Sequence, residues 1–182
     1  MSFADAAPPC SAQKKRSHGD RMIDPKDYRD AMSAIASPVH LLATDGKAGM
    51  AGLTVTALAS ITDSPATLLV CVNRGTPSGP RFIENGHFSV NSLAAADRDL
   101  SDIFAGRTDE HFERKFTHGL WKPGLHGQPA LMSALACFEC KLTEVKDIGT
   151  HHIFFGEVLA VARPALGPSL IYHRRAYGQA GQ

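Results

Sequence analysis

A mainly β protein, an antiparallel Greek-key barrel with a few short peripheral helices, is the fold this sequence predicts. Short runs of alternating apolar residues recur along the chain, and Gly, Pro, Asn and Asp punctuate the gaps between them. Strand–helix–strand alternation, which a parallel sheet requires, is missing. With 182 residues, 43% hydrophobic and 20% charged, the chain is long enough for one well-packed domain and short for two.

Residues 1–22 show no hydrophobic period and are expected to be a disordered leader to a domain over 23–182. Their cluster Lys14-Lys15-Arg16, with Arg21, lacks the aromatic neighbours that nucleic-acid binding uses. A helix starts at Asp24. Pro25 suits the first helical position, and Tyr28, Met32, Ile35 and Ala36 recur at helical spacing before Pro38. A strand over 39–44 leads through the turn 45–49 into a long strand over 50–62. Period-two geometry there puts Thr54, Thr56 and Ser60 on one face, and Leu53, Val55, Ala57, Ala59 and Ile61 in an apolar layer. Small side chains on this strand let a planar ligand approach the backbone.

Beyond the turn 62–65, residues 66–73 form a buried strand that opens into Asn73-Arg74-Gly75-Thr76-Pro77-Ser78. An amide, a cation and hydroxyls thus gather at a strand end. A helical turn at 81–84, a strand at 87–93 and an amphipathic helix at 97–105 follow, the last closed by Gly106. Residues 106–132, rich in Gly, Pro, His and Lys, read as a long surface excursion. Strands over 134–146 and 151–163 pair through the turn 147–150, and a last strand occupies 170–173. Gly156 leaves room beside the second of these for another group to approach.

Lys plus Arg number 19 against 18 for Asp plus Glu, so no global field favours nucleic acid or an anionic membrane. No run is long and apolar enough for a membrane-spanning helix, and a soluble cytoplasmic protein is expected. Phosphate-loop, Gly-x-Ser-x-Gly, His-Glu-x-x-His and Rossmann signatures are absent. Cys137 and Cys140 lie three apart on a strand and so face opposite sides, which argues for packing over metal or redox chemistry. The adjacent His151 and His152 diverge for the same reason, and no metal site is expected.

Several segments taken together are more specific. Tyr28-Arg29-Asp30-Ala31-Met32, the segment 48–57, the stretch from Thr62 to Arg74, Val90-Asn91-Ser92-Leu93, Phe104-Ala105-Gly106 and Gly149-Thr150-His151 resemble, in order and spacing, the flavin reductase family. These are FMN-binding split barrels that supply reduced flavin to two-component monooxygenases. The resemblance implies an NAD(P)H-dependent reductase of FMN or FAD, with NADH or NADPH as hydride donor, a homodimeric assembly and a separate oxygenase partner. It implies that Thr54, Val55, Thr56 and Ala57 lie along the flavin, with Ser60 and Cys71 near by. Asn73, Arg74 and Ser78 are expected to hold its phosphate, and Phe104 and Ala105 to close the pocket. The resemblance also implies that His151, the one residue expected to be catalytic, faces the nicotinamide together with Tyr177. Other outcomes consistent with the same residues are a flavin-binding electron-transfer module, or a reductase of a bound acceptor such as a corrin. Gly178, where family members often carry histidine, and Gly75-Thr76-Pro77, where a serine and arginine run is common, depart from the family pattern.

Overall fold

The computed structural model describes residues 23–181, so the expected leader lies outside the described residues. In chain order the elements are α1 (Pro25–Ser33), β1 (Ser37–Pro38), β2 (His40–Thr44), β3 (Ala51–Val55), β4 (Leu58–Asp63), β5 (Ala66–Asn73) and α2 (Gly79–Asn85). There follow β6 (His87–Ser92), α3 (Arg98–Phe104), β7 (Trp121–Pro123), β8 (Pro129–Leu131), β9 (Ala136–Ile148), β10 (His151–Ala162), β11 (Ser169–His173) and β12 (Ala176–Ala180). Seven strands make one antiparallel sheet in the order β3-β2-β6-β9-β10-β5-β4. Only Thr56 and Ala57 separate β3 from β4, yet these strands form the two opposite edges. The sheet must therefore curl until its edges meet without pairing, which is a split barrel.

The barrel interior holds Leu42, Leu53, Val55, Val70, Val72, Phe88, Val90 and Phe154, and α2 lays Phe82 against them. Phe88 and Phe82 sit 6.5 and 6.2 Å from the Phe154 ring. Gly156 does leave space, and the Phe88 ring fills it: a Cβ there would lie 2.6 Å from that ring. A second core, on the outer face of the sheet, gathers Val39, Leu41, Leu93, Leu100, Phe104, Leu131 and Leu170 beneath α3, β8 and β11.

Four expectations need correction. The run 50–62 is two strands, and Ala57, Ala59 and Ile61 are exposed because β4 is an edge strand rather than part of an apolar layer. Helix α1 ends at Ser33, its start held by the Asp24 carboxylate accepting from the Lys26 amide (2.7 Å). Its apolar residues Tyr28 and Met32, like Ile35 after it, are exposed, and it docks on the β11–β12 turn through polar contacts, Ser33 to the Arg174 amide and Asp30 to Arg175. The excursion 106–132 is partly interior: Pro129, Ala130 and Leu131 are buried, and the Ser89 hydroxyl and Asn91 amide of β6 both reach the Pro129 carbonyl. Strand β12 lacks apolar alternation. It is held by pairing with β11 in a separate three-stranded sheet with β1. Cys140 packs in the barrel interior and Cys137 is buried elsewhere on β9; burial pushes both thiols up to about 12, so neither is an activated nucleophile.

His40 opens β2 opposite Val55 and Ser92 and is buried. Its Nδ1 shares a hydrogen bond with the Ser92 hydroxyl (3.0 Å), while Nε2 has no partner among the described residues. Burial lowers its pKa from 6.5 to about 4. Above pH 6.5 the ring is neutral whether the chain is folded or not, and its contribution is complete. As pH falls through that value the unfolded chain binds a proton that the folded one refuses, and stability drains away until the pH reaches about 4. The loss amounts to about 3 kcal/mol. Urea unfolding of the parent chain and of His40→Leu across this window should show the parent losing stability relative to the variant as the pH falls; parallel curves would contradict the assignment.

Candidate active site

Where the barrel splits, β3 pairs with β2 on one side only, so its other row of backbone N–H and C=O groups faces the gap. A cavity of about 670 Å³ opens beside it. Its floor is Gly52, Leu53 and Thr54. One wall is the loop Asn73-Gly75-Thr76-Pro77-Ser78, and the other runs from Phe104, Ala105 and Gly106 to His111, Phe112 and Lys115. A smaller cavity of about 250 Å³ shares Thr54 and Ala105 and continues over Val55 and Thr56 to Tyr172, Tyr177 and Arg107. Together they make one groove along the split.

Local bonds hold this groove in shape. The Thr54 hydroxyl donates to the Ser101 carbonyl (2.7 Å), tying β3 to α3, and the Ser78 hydroxyl donates to the Gly52 carbonyl (3.3 Å), tying the loop to β3. The Gly75 amide donates to the Asn73 side chain (2.8 Å), which tightens the loop. At the far end the Tyr177 hydroxyl meets Ser101 Oγ and Asp102 Oδ1, each at 2.9 Å, and Arg107 reaches the same carboxylate at 2.7 Å. Burial, then the Asp102 carboxylate, raises the Tyr177 pKa, so the phenol stays protonated and donating.

Of the residues expected from sequence, Thr54, Asn73, Ser78, Phe104 and Ala105 line the larger cavity, and Val55, Thr56 and Tyr177 the smaller. Ala57 and Ser60 lie exposed beyond the bend, and Cys71 is half-buried on β5, its amide bonded to the Ala57 carbonyl (3.0 Å). Arg74 is exposed; its guanidinium is 3.4 Å from the Gly149 carbonyl and 3.6 Å from Asp147, outside both cavities. His151 pairs across the sheet with Asn73 and bonds Thr150 Oγ1 (2.9 Å), one strand from the cavity wall. Its neighbour His152 turns the other way, to Asp147 (2.6 Å) and the Phe154 ring.

Sequence reasoning missed His111, Phe112 and Lys115. The signal was there: Phe112 and Lys115 are three apart, the spacing that puts two side chains on one face of the 3-10 turn Phe112–Thr117.

The flavin reductase like domain model matches residues 32–181 of the chain. This chain belongs to that family. An "FMN reductase (NADH) RutF" of Stutzerimonas stutzeri is 43% identical over 152 residues, covering 84% of this chain and 86% of that one. Its Escherichia coli counterpart is 41% identical over 156 residues, 86% and 94% of the two chains. The crystal structure of BorF, the flavin reductase component of a bacterial two-component tryptophan halogenase, superposes with a TM-score of 0.81 at 28% identity, over 87% of this chain and 99% of that one. The split barrel with few helices is therefore the fold of the flavin reductase like domain, as the strand pattern implied for the antiparallel barrel and the family resemblance for its split.

In this flavin reductase like domain the Tyr177 hydroxyl joins the C-terminal hairpin to α3. Tyr177→Phe should lower stability in urea by about 1–2 kcal/mol, since Ser101 and Asp102 each lose a partner. An unchanged unfolding midpoint would show that the hairpin is held by packing alone.

Proposed function

We propose that this chain is an NADH-dependent FMN reductase, acting as a homodimer and passing reduced flavin to a separate oxygenase component. The observation that carries the reading is the groove itself, polar at the 73–78 end and lined by small residues and an unpaired backbone edge along Thr54–Thr56. Its volume lies within the range of about 300–1,000 Å³ typical of small-molecule sites. The relatives' names favour FMN over FAD and NADH over NADPH. Exposed Tyr28, Met32 and Ile35 give a second subunit apolar surface to cover.

The residues fit a flavin mononucleotide. Asn73 and Ser78 would lie at its phosphate end, Thr54, Val55 and Thr56 along its ring, and Phe104 and Ala105 over it. Bound there, a flavin supplies a two-electron acceptor for hydride from a nicotinamide. The protein's part would be placement: outward amides of β3 would donate to the ring's polar edge, where reduction adds negative charge. Ala105 and Thr56, having little bulk, leave room for a nicotinamide to stack within the ~3–3.5 Å that transfer needs. His151 would orient the nicotinamide's carboxamide or ribose, with Thr150 fixing its ring.

Purified protein should oxidise NADH only when FMN is added. His151→Ala should raise the KM for NADH about tenfold and leave FMN binding within about twofold, as loss of one positioning hydrogen bond implies. Flavin binding without NADH oxidation would point instead to an electron-transfer module, and unchanged kinetics would remove His151 from the site.

A further inference from the structure

Arg74, the cation that the sequence offers for a phosphate, is turned outward to Gly149 and Asp147. Another cation lines the cavity. Lys115 is buried at 8% exposure, and among the described residues no carboxylate pairs with it. Its ammonium donates to the Phe104 carbonyl (3.3 Å), one of the acceptors left open at the end of α3. An ammonium carries three donors, so beside this bond and the Phe104 ring 5.7 Å away it keeps capacity for a further acceptor.

The segment that carries Lys115 is clamped on both sides. Arg81 grips it from one, with its guanidinium 3.8 Å over the Phe112 ring and 2.7 Å from Glu113. Phe116 grips it from the other, edge-on to Phe104 at 5.2 Å and to Trp121 at 4.9 Å. Turning a lysine inward between such anchors has a desolvation cost, and the lowered Lys115 pKa reflects it. A bound dianion would offset that cost.

We propose that Lys115 is the cation that grips the flavin's phosphate, from the wall opposite Thr76 and Ser78. The inference rests on the flavin-binding reading above and adds to it the charged partner that this reading lacks. Lys115 thereby makes the site select a phosphorylated flavin over the bare isoalloxazine alcohol. The competing role is structural, a lysine that merely caps α3.

Fluorescence titration with FMN and with riboflavin, which lacks the phosphate, separates the two. For Lys115→Met, FMN affinity should fall about tenfold or more while riboflavin affinity stays within about twofold. Lys115→Arg should keep most of the preference for FMN. Equal weakening of both flavins, or no weakening of either, would overturn the proposal and leave the capping role. A parent chain that binds neither flavin would instead overturn the flavin reading itself, and with it this inference.

Discussion

Thr56 and Ala57 are all that lies between β3 and β4, yet the sheet's pairing order sends those strands to opposite edges. Two residues span less than about 7 Å of chain. A seven-stranded sheet with its ends tethered so closely must close on itself, yet β3 and β4 diverge from the tether and do not pair. One row of backbone groups is thus left without a strand partner in the barrel wall. Natural sheets cover such an edge, and here a groove runs along it, walled by the 73–78 loop and by Phe104 and Ala105.

Everything else in the site adapts to that gap. Thr54 and Ser78 spend their hydroxyls on carbonyls of Ser101 and Gly52, so they fix the groove's floor against α3 and the 73–78 loop. Gly52 is required because a Cβ would sit 2.5 Å from the Phe104 ring, which roofs the cavity. The roof in turn depends on the excursion after Gly106. Arg81, anchored to the Met50 carbonyl at 2.7 Å, links that excursion to the approach to β3. Barrel, loop and roof form one mechanical unit.

Much of this was legible in the residues. Alternation over 87–93, the apolar run over 66–73, the Pro25 start of α1 and the Gly106 stop are local signals, and local signals survive folding. Thr54, Asn73, Ser78 and Phe104 were recoverable because the family pattern marks them. The break at Thr56 was not: both halves of 50–62 look like one strand, and only the closure of the sheet separates them. Nor was the burial of Pro129, Ala130 and Leu131 visible, since it depends on Ser89 and Asn91 of β6 supplying polar partners from a distant strand. The three-residue spacing of Phe112 and Lys115 could have put both on one face, but the burial of Lys115 could not be read from a loop of solvated composition, because it is decided by its neighbours' packing.

The central claim is that a flavin lies along the unpaired edge of β3, beneath Phe104 and the segment that carries Lys115. Amide hydrogen exchange with and without saturating FMN tests it most directly. Protection should appear at residues 52–56 and 104–115 and at the 73–78 loop, while β7, β8 and the β9–β10 turn exchange as before. Binding of FMN with protection confined to other surfaces, and none along β3, would contradict the account.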